Sequence, residues 1–464
     1  MPETAVLSID IGSTYTKGGL FFVEDGRLRP GRRASFPTTT DDLRRGFAAV
    51  RAALAADEKA SGAPVYFSSS ARGGLKIAAI GLTPDLTLSI ARMAACSAGG
   101  KIVRAFSYRL TEEEIAELET LAPDIVLFTG GTDGGSEKTN LHNARLLAAS
   151  RLNAVILYAG NRKIRSEVLS LLADKEAVAA DNIMPDVGVV AIEPARDVIR
   201  RIFLEKIVDG KGLADVVREV GTLPKPTPLA VYDLVGAIPA ACPGWDDFAV
   251  IDMGGATTDF YSYTESFRGG DAVLLKGIRE PVLKRTVEGD LGLRVSVEAL
   301  WTSEKPWFEE RLRIDGLDAD GFAAYIRSVA SRIEAMPATP IEESYDALLA
   351  GACVRAAARR HAGTSTRIYS PQGAFRVQKG KDLTRVGRLI GSGGYLSRLR
   401  DGRVLAQACA DAVDTEERLL LPEKPLLYAD AGYLFPLLGN LVAAFPEAAP
   451  RAAIAQLLKL ESTR

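Results

Sequence analysis

Two short stretches, far apart in the chain, end an apolar run with aspartate and follow it with glycine and hydroxyl residues. The first reads Asp10-Ile11-Gly12-Ser13-Thr14-Tyr15-Thr16-Lys17-Gly18 and the second Asp252-Met253-Gly254-Gly255-Ala256-Thr257-Thr258-Asp259. Each predicts a β-hairpin whose first strand is buried and ends in a carboxylate. In the second, successive glycines lose backbone entropy on folding and the flanking carboxylates repel, costs that an ordinary turn has no reason to carry. A bound Mg²⁺, which prefers carboxylate and water ligands and bridges phosphates, would relieve that repulsion. In the first, backbone N–H groups and the hydroxyls of Ser13, Thr14 and Thr16 can face phosphate oxygens. Lys17 either adds its charge there or points to solvent. Taken singly, this hairpin reads equally well as a structural turn.

A third element, Leu389-Ile390-Gly391-Ser392-Gly393-Gly394-Tyr395, is again strand, glycine loop and helix. Its glycines would let the backbone approach an adenine or ribose, and the helix N-terminus favours anions. By itself it is a generic βα loop.

A chain of 464 residues exceeds one compact core and predicts two or three domains. Residues 1–72 read as three antiparallel strands, a helix capped at Asp41 and running to Glu58, and a further strand, Val65 to Ser69. From 73 to 224 the pattern becomes strand, loop, helix, three times over. The strands are Ile125 to Thr129, Ala154 to Tyr158 and Ala177 to Ala180, with helices beginning near Lys138, Lys163 and Pro194. That alternation implies parallel βαβ units, hence an inserted Rossmann-like α/β domain. The proline-rich stretch 223–228 is a hinge back to residues 225–464, where sheet and helices again open on a glycine-rich hairpin. The fold class is therefore α/β: two related halves with an insertion.

Lysine plus arginine total 57 and aspartate plus glutamate 59, a formal charge of −2. This leaves no footprint for nucleic acid. No stretch approaches the roughly twenty apolar residues of a membrane span. A strand-like run beginning at Ala5 leaves no room for a signal peptide, so a cytoplasmic location is expected. Cys96, Cys242, Cys353 and Cys409 lack metal-site or redox spacing. They read as small hydrophobes in packed helices, with a cluster or thiol shared with a partner subunit as the alternative. His142 falls in an amphipathic helix, and His361 ends an arginine-rich one, where a cation suits the C-terminus.

Taken together, the two acidic hairpins and the late Gly-Ser-Gly-Gly loop resemble the actin/Hsp70/sugar-kinase superfamily. The small-residue helix from Leu229 to Ala241 and the helix after Ala431-Gly432 resemble that superfamily's two crossing helices. The resemblance implies duplicated actin-like ATPase (ribonuclease H-like) halves that bind ATP and Mg²⁺. Asp10 and Asp252 would hold Mg²⁺ through water, and Gly12 to Thr14 and Gly254, Gly255, Ala256 and Thr257 would cradle phosphates. Gly391 to Gly394 would contact adenosine, and Asp259 would orient water. Two departures stand out. Ala256 replaces the third glycine of the related chaperone turn, and the nearest acid on the first crossing helix is Asp233.

Asp10 to Lys17, Phe128-Thr-Gly-Gly-Thr-Asp-Gly-Gly135, Asp252 to Asp259, Arg285-Thr-Val-Glu-Gly-Asp-Leu-Gly292 and Asp430-Ala-Gly-Tyr433 occur in the order seen in the glutamate mutase L family. The chain resembles that family over nearly its whole length and is unlike the mismatch-repair protein of the same short name. The resemblance implies an ATP-dependent reactivating chaperone that releases damaged corrinoid from an adenosylcobalamin-dependent mutase of the glutamate mutase type. The inserted domain would imitate the cobalamin-binding subunit, or its glycine-rich loop is an ordinary turn capped by Asp133. The segment from Arg285 to Leu291 is either a solvated turn or a link between nucleotide state and the second half. Rival readings are a small-molecule kinase, with Asp233 as the candidate base, an iron–sulfur activator of a radical dehydratase, and a filament-forming ATPase.

Overall fold

The structure, a computed structural model, describes residues 4–39, 41–57, 60, 62–70, 75–208, 212–267, 273–371, 373–411 and 416–461. The expected boundary between residues 72 and 73 and the expected helix end at Glu58 lie outside them. The chain forms two compact units. One comprises Met1–Gly73, Lys211–Lys276 and Glu280–Arg464; the other comprises Gly74–Gly210 with Gly277–Arg279.

The first unit contains two sheets of the same topology. One runs, in spatial order, Arg27–Pro37, Tyr15–Glu24, Thr4–Ile11, Val65–Ser69, Lys225–Pro226. The other runs Leu283–Glu288, Thr258–Tyr263, Phe248–Met253, Arg388–Ser392, Leu426–Ala429, Leu458–Lys459. In both, the first five strands are ordered third, second, first, fourth, fifth along the chain, and only the second opposes the rest. The protein is thus an α/β chain with duplicated ribonuclease H-like halves in the actin-like arrangement. The central strands Thr4–Ile11 and Phe248–Met253 are nearly continuous apolar runs, as strands covered on both faces require.

The two sheets share one core. Val6 and Phe21 of the first sheet and Phe248, Val250 and Ile390 of the second join the helices Thr227–Ala241, Leu434–Leu441 and Ala448–Ala455 in a single buried cluster. Each large apolar side chain buried there contributes about 1.5–3 kcal/mol. The first two helices touch closely: a Cβ on Gly439 would lie 2.2 Å from the Ala230 carbonyl oxygen. Helix Leu213–Val220 also belongs to this unit, where Arg44 pairs with Asp215 and Arg51 with Glu219 across to helix Leu43–Ala55.

Several local expectations change. Asp42, rather than Asp41, caps the first helix by accepting from the Arg44 N–H. A four-stranded sheet of Val273–Lys276, Gly373–Lys379, Thr364–Ser370 and Glu417–Leu419 was legible only in part. His361 is no terminal cation. It is buried between the Ser262 and Thr286 hydroxyls, 2.8 Å from each, and stacked on Phe260. Burial, with Lys381 and Lys284 nearby, holds its pKa well below the usual histidine value, because the charged form is the one desolvation penalises.

The second unit is a parallel sheet in the spatial order Lys101–Ser107, Lys76–Gly81, Ile125–Phe128, Val155–Tyr158, Ala177–Ala179. That is the doubly wound order second, first, third, fourth, fifth. Its first two strands escape sequence reading, Lys76–Gly81 because Lys-Ile-Ala-Ala-Ile-Gly is alanine-rich and weak in β-propensity. Asp133 does not cap the following helix. It accepts from the Arg162 N–H and the Asn182 amide, and helix Lys138–Ala149 begins without a side-chain cap. Among the described residues no helix is long and apolar enough to cross a membrane. None of the four cysteines forms a disulfide; Cys353 is fully buried and its thiol is pushed up to about 12, an unreactive thiol.

Candidate functional site

The turns of the two equivalent hairpins open on one cleft of about 1210 Å³ in the first unit. Gly12, Ser13, Thr14 and Lys17 line it from the first hairpin, and Asp252, Gly254, Gly255, Ala256, Thr257 and Asp259 from the second. Gly393 and Gly394 line it from the third loop. Four expected residues lie behind the wall, the fully buried Asp10 among them. Thr16 is buried and paired with the Thr38 hydroxyl at 3.0 Å. Gly391 packs on Leu396 and Leu405. Ser392 donates to Asp430 at 2.8 Å.

Asp10 is fully buried and accepts three hydroxyls, from Thr227 at 2.5 Å, Ser68 at 2.8 Å and Tyr433 at 2.9 Å. Burial raises its pKa, opposed by the Thr227 and Ser68 hydrogen bonds and then by the Lys17 charge. Lys17 does not point to solvent. Its ammonium lies 3.3 Å from the centre of the Tyr433 ring, and its pKa falls through burial, with Asp10 and Asp252 opposing that fall. Asp252 is half-buried at the end of its strand, and its carboxyl is pushed up to about 8 by burial first and the Asp259 charge second.

Asp259 forms a buried ion pair with Arg285, Nε at 2.8 Å and Nη2 at 2.6 Å from the same oxygen. Arg285 therefore sits in a strand beside the hairpin, and the expectation of a solvated turn fails there. The chain then folds back around the second turn. Gly292 passes so close that a Cβ would stand 2.5 Å from the Ala256 carbonyl carbon. The Arg294 N–H donates to the Gly255 carbonyl at 2.9 Å, and the Ser296 hydroxyl to that of Ala256 at 2.7 Å. The Arg294 guanidinium is anchored in turn by both oxygens of Asp346, at 3.0 and 2.7 Å. The sequence run after Arg285 is thus a clasp holding the second hairpin.

The glycines divide by what they do. Gly393 has φ +95° and meets the Met253 carbonyl, where a Cβ would be 2.1 Å away; the fold itself requires it. Gly254 and Gly255 have no positive φ, and a Cβ on either would have nothing closer than 3.5 Å. A Cβ on Gly394 would meet nothing within 4 Å. The fold does not demand glycine at these three positions, so their bareness serves the space in front of them. Ala256 likewise has no positive φ and fits its turn without strain.

The charge distribution suits a metal-bound polyphosphate. Asp259, Asp10 and Asp430 all act on Asp252 in a poorly solvated region, against Lys17, while Arg285 pairs with Asp259. Among the described residues, no three His, Cys, Asp or Glu side chains group closely enough to ligate a metal directly. A Mg²⁺ that takes most of its ligands from water and phosphate fits this donor set. Sequence reading missed Ser68, Thr227 and Tyr433 as carboxylate partners, and Trp307 and Arg398 on the cleft wall. Asp233 is bound by Lys225 at 2.8 Å.

A family model described as MutL protein matches residues 6–457. A relative from Clostridium tetanomorphum, named Protein MutL, is 35% identical over 470 residues, spanning 98% of this chain and 100% of that protein. Among solved structures, a diol dehydratase-reactivating factor in nucleotide-free form matches at 10% identity and a TM-score of 0.37, covering 95% of this chain and 100% of that one. A Thermus thermophilus ROK hexokinase matches at 11% identity and a TM-score of 0.28, covering 97% and 99%. Both structural likenesses are weak.

Proposed function

The chain belongs to the MutL protein family, and from that premise we propose that it is an ATPase that reactivates a partner enzyme. The partner is an adenosylcobalamin-dependent mutase of the glutamate mutase type, relieved of damaged corrinoid. The nucleotide half of this reading is carried by one observation: the turns of two acid-ended hairpins, one bearing the hydroxyls of Ser13 and Thr14 and the other bare at Gly254 and Gly255, line one cleft. The partner half rests on family membership and the motifs that follow the family's order.

In this reading the backbones of Gly12 to Thr14 and Gly254 to Thr257 cradle the β- and γ-phosphates, and Gly393 and Gly394 lie against adenosine. Asp10 and Asp252 hold Mg²⁺ through water, and Lys17 neutralises phosphate charge. The ion, when bound, offsets charge on the phosphoryl oxygens. Asp259, fixed by Arg285, orients the attacking water. Catalysis is then positioning plus charge stabilisation, with no covalent enzyme intermediate.

Calorimetry with Mg·ATP and Mg·ADP tests the nucleotide half; absence of magnesium-dependent uptake would end it. ATP turnover that rises when a purified mutase carrying inactivated corrinoid is added, with corrinoid released, is the outcome expected of the partner half. Phosphoryl transfer to a small metabolite instead would establish a kinase.

A further inference from the structure

We propose that Thr227 and Tyr433 are positioning residues that tie the Asp10 carboxylate to two of the helices in the core shared by the two sheets, Thr227–Ala241 and Leu434–Leu441. This inference rests on the ATPase reading and adds to it the element that senses the nucleotide. Asp10 accepts hydroxyls from three different elements. Ser68 lies in the neighbouring strand Val65–Ser69, Thr227 is the first residue of helix Thr227–Ala241, and Tyr433 immediately precedes helix Leu434–Leu441. Thus two of the three helices in the shared core begin at a hydroxyl on the same carboxylate.

The second helix is held from several directions. Tyr433 has φ +61°, a left-handed conformation that a bulky side chain adopts only when its surroundings impose it. The Asp430 carboxylate accepts from the Leu434 and Phe435 N–H groups at 2.8 and 3.0 Å, fixing the first turn, and from Ser392 of the third loop. Near the far end, Asn440 reaches Ser68 Oγ at 3.2 Å, and Ser68 donates to Asp10. Helix Leu434–Leu441 therefore contacts this carboxylate twice, directly through Tyr433 and indirectly through Asn440 and Ser68.

Asp252 has no such attachment: no described residue donates a hydrogen bond to its carboxylate. The two acids differ in kind, one facing the cleft freely and the other shared among three structural elements. A hydrated cation that draws on the Asp10 oxygens competes with the Thr227 and Tyr433 hydroxyls. Nucleotides that draw on them differently then favour different helix placements, which is the differential interaction a conformational change requires.

The test uses the full chain and the variants Thr227→Val, Tyr433→Phe and Thr227→Ser. Amide exchange is followed in helices Thr227–Ala241 and Leu434–Leu441 with Mg·ATP and with Mg·ADP, alongside calorimetric affinities. The wild type and Thr227→Ser should show exchange rates differing by roughly tenfold between the two nucleotides. In Thr227→Val and Tyr433→Phe that difference should fall below about twofold. Variants that keep the wild-type difference, even while losing affinity for both nucleotides equally, would show the hydroxyls to be mere contacts and overturn the inference. A wild type that binds both nucleotides without any exchange difference overturns it too. A wild type that binds neither removes the ATPase reading itself, and this inference with it.

Discussion

Asp252 and Asp259 stand directly opposite each other across the second hairpin, at the positions where the first hairpin sets Asp10 against Lys17. The duplicated turns thus carry opposite electrostatics. One pairs unlike charges, and the other opposes like charges, a destabilising cross-strand arrangement. Arg285, from the adjacent strand, compensates Asp259, which leaves Asp252 as the carboxylate that a cation in the cleft would relieve.

Asp252→Asn removes that repulsion, so the variant should melt at or above the wild-type temperature without magnesium. ATP hydrolysis should fall on the order of 100- to 1,000-fold, the scale of losing one charge-positioning group. Thermal melts with and without Mg·ATP check both halves. A variant with wild-type turnover would show that the carboxylate does no catalytic work.

Arg285→Met strands Asp259 as a buried charge, and unfolding in denaturant should show a loss of about 3–5 kcal/mol. Adding Asp259→Leu to the same chain should recover most of that loss, because the cost lies in the unpaired charge. A single variant as stable as the wild type would mean that the pair does not form.

Gly394→Ala adds a methyl group to open space and Gly254→Ala one that meets nothing closer than 3.5 Å, so stability should stay within about 0.5 kcal/mol while the KM for ATP rises. Gly393→Ala, at φ +95° against the Met253 carbonyl, should cost about 1–3 kcal/mol from overpacking alone. Comparing denaturant midpoints with KM values separates the bare surface from the structural glycine.

His361 supplies a pH dependence. Its folded pKa lies well below 6.5, so the unfolded chain binds the extra proton as pH falls through about 6.5, the unperturbed histidine value. Stability is therefore complete above that pH and declines below it, with a slope from this group of at most about 1.4 kcal/mol per pH unit. His361→Gln should lack that component, read as a flatter stability curve between pH 6.5 and 5. Parallel curves for variant and wild type would refute it.

Both acidic hairpins and most of their flanking strands were legible because their signals are local. An apolar run, a glycine turn and hydroxyl residues fall within ten positions, and the register then follows from the turn. Lys76–Gly81 was invisible, since alanine carries little strand preference and only its neighbours in the parallel sheet make it a strand. Arg285 looked like surface because its charged flanks resemble a solvated turn; its burial follows from pairing with Thr258–Tyr263.

By itself the sequence determined that two acid-ended turns would form, the first carrying hydroxyls and the second paired glycines. It could not assign the partners of Asp10. The hydroxyls of Thr227 and Tyr433 lie 217 and 423 positions away along the chain, in segments whose local pattern says only where a helix begins. Which oxygen they reach is decided when the helices pack between the sheets, because a buried carboxylate must find donors among whatever groups the fold brings to it.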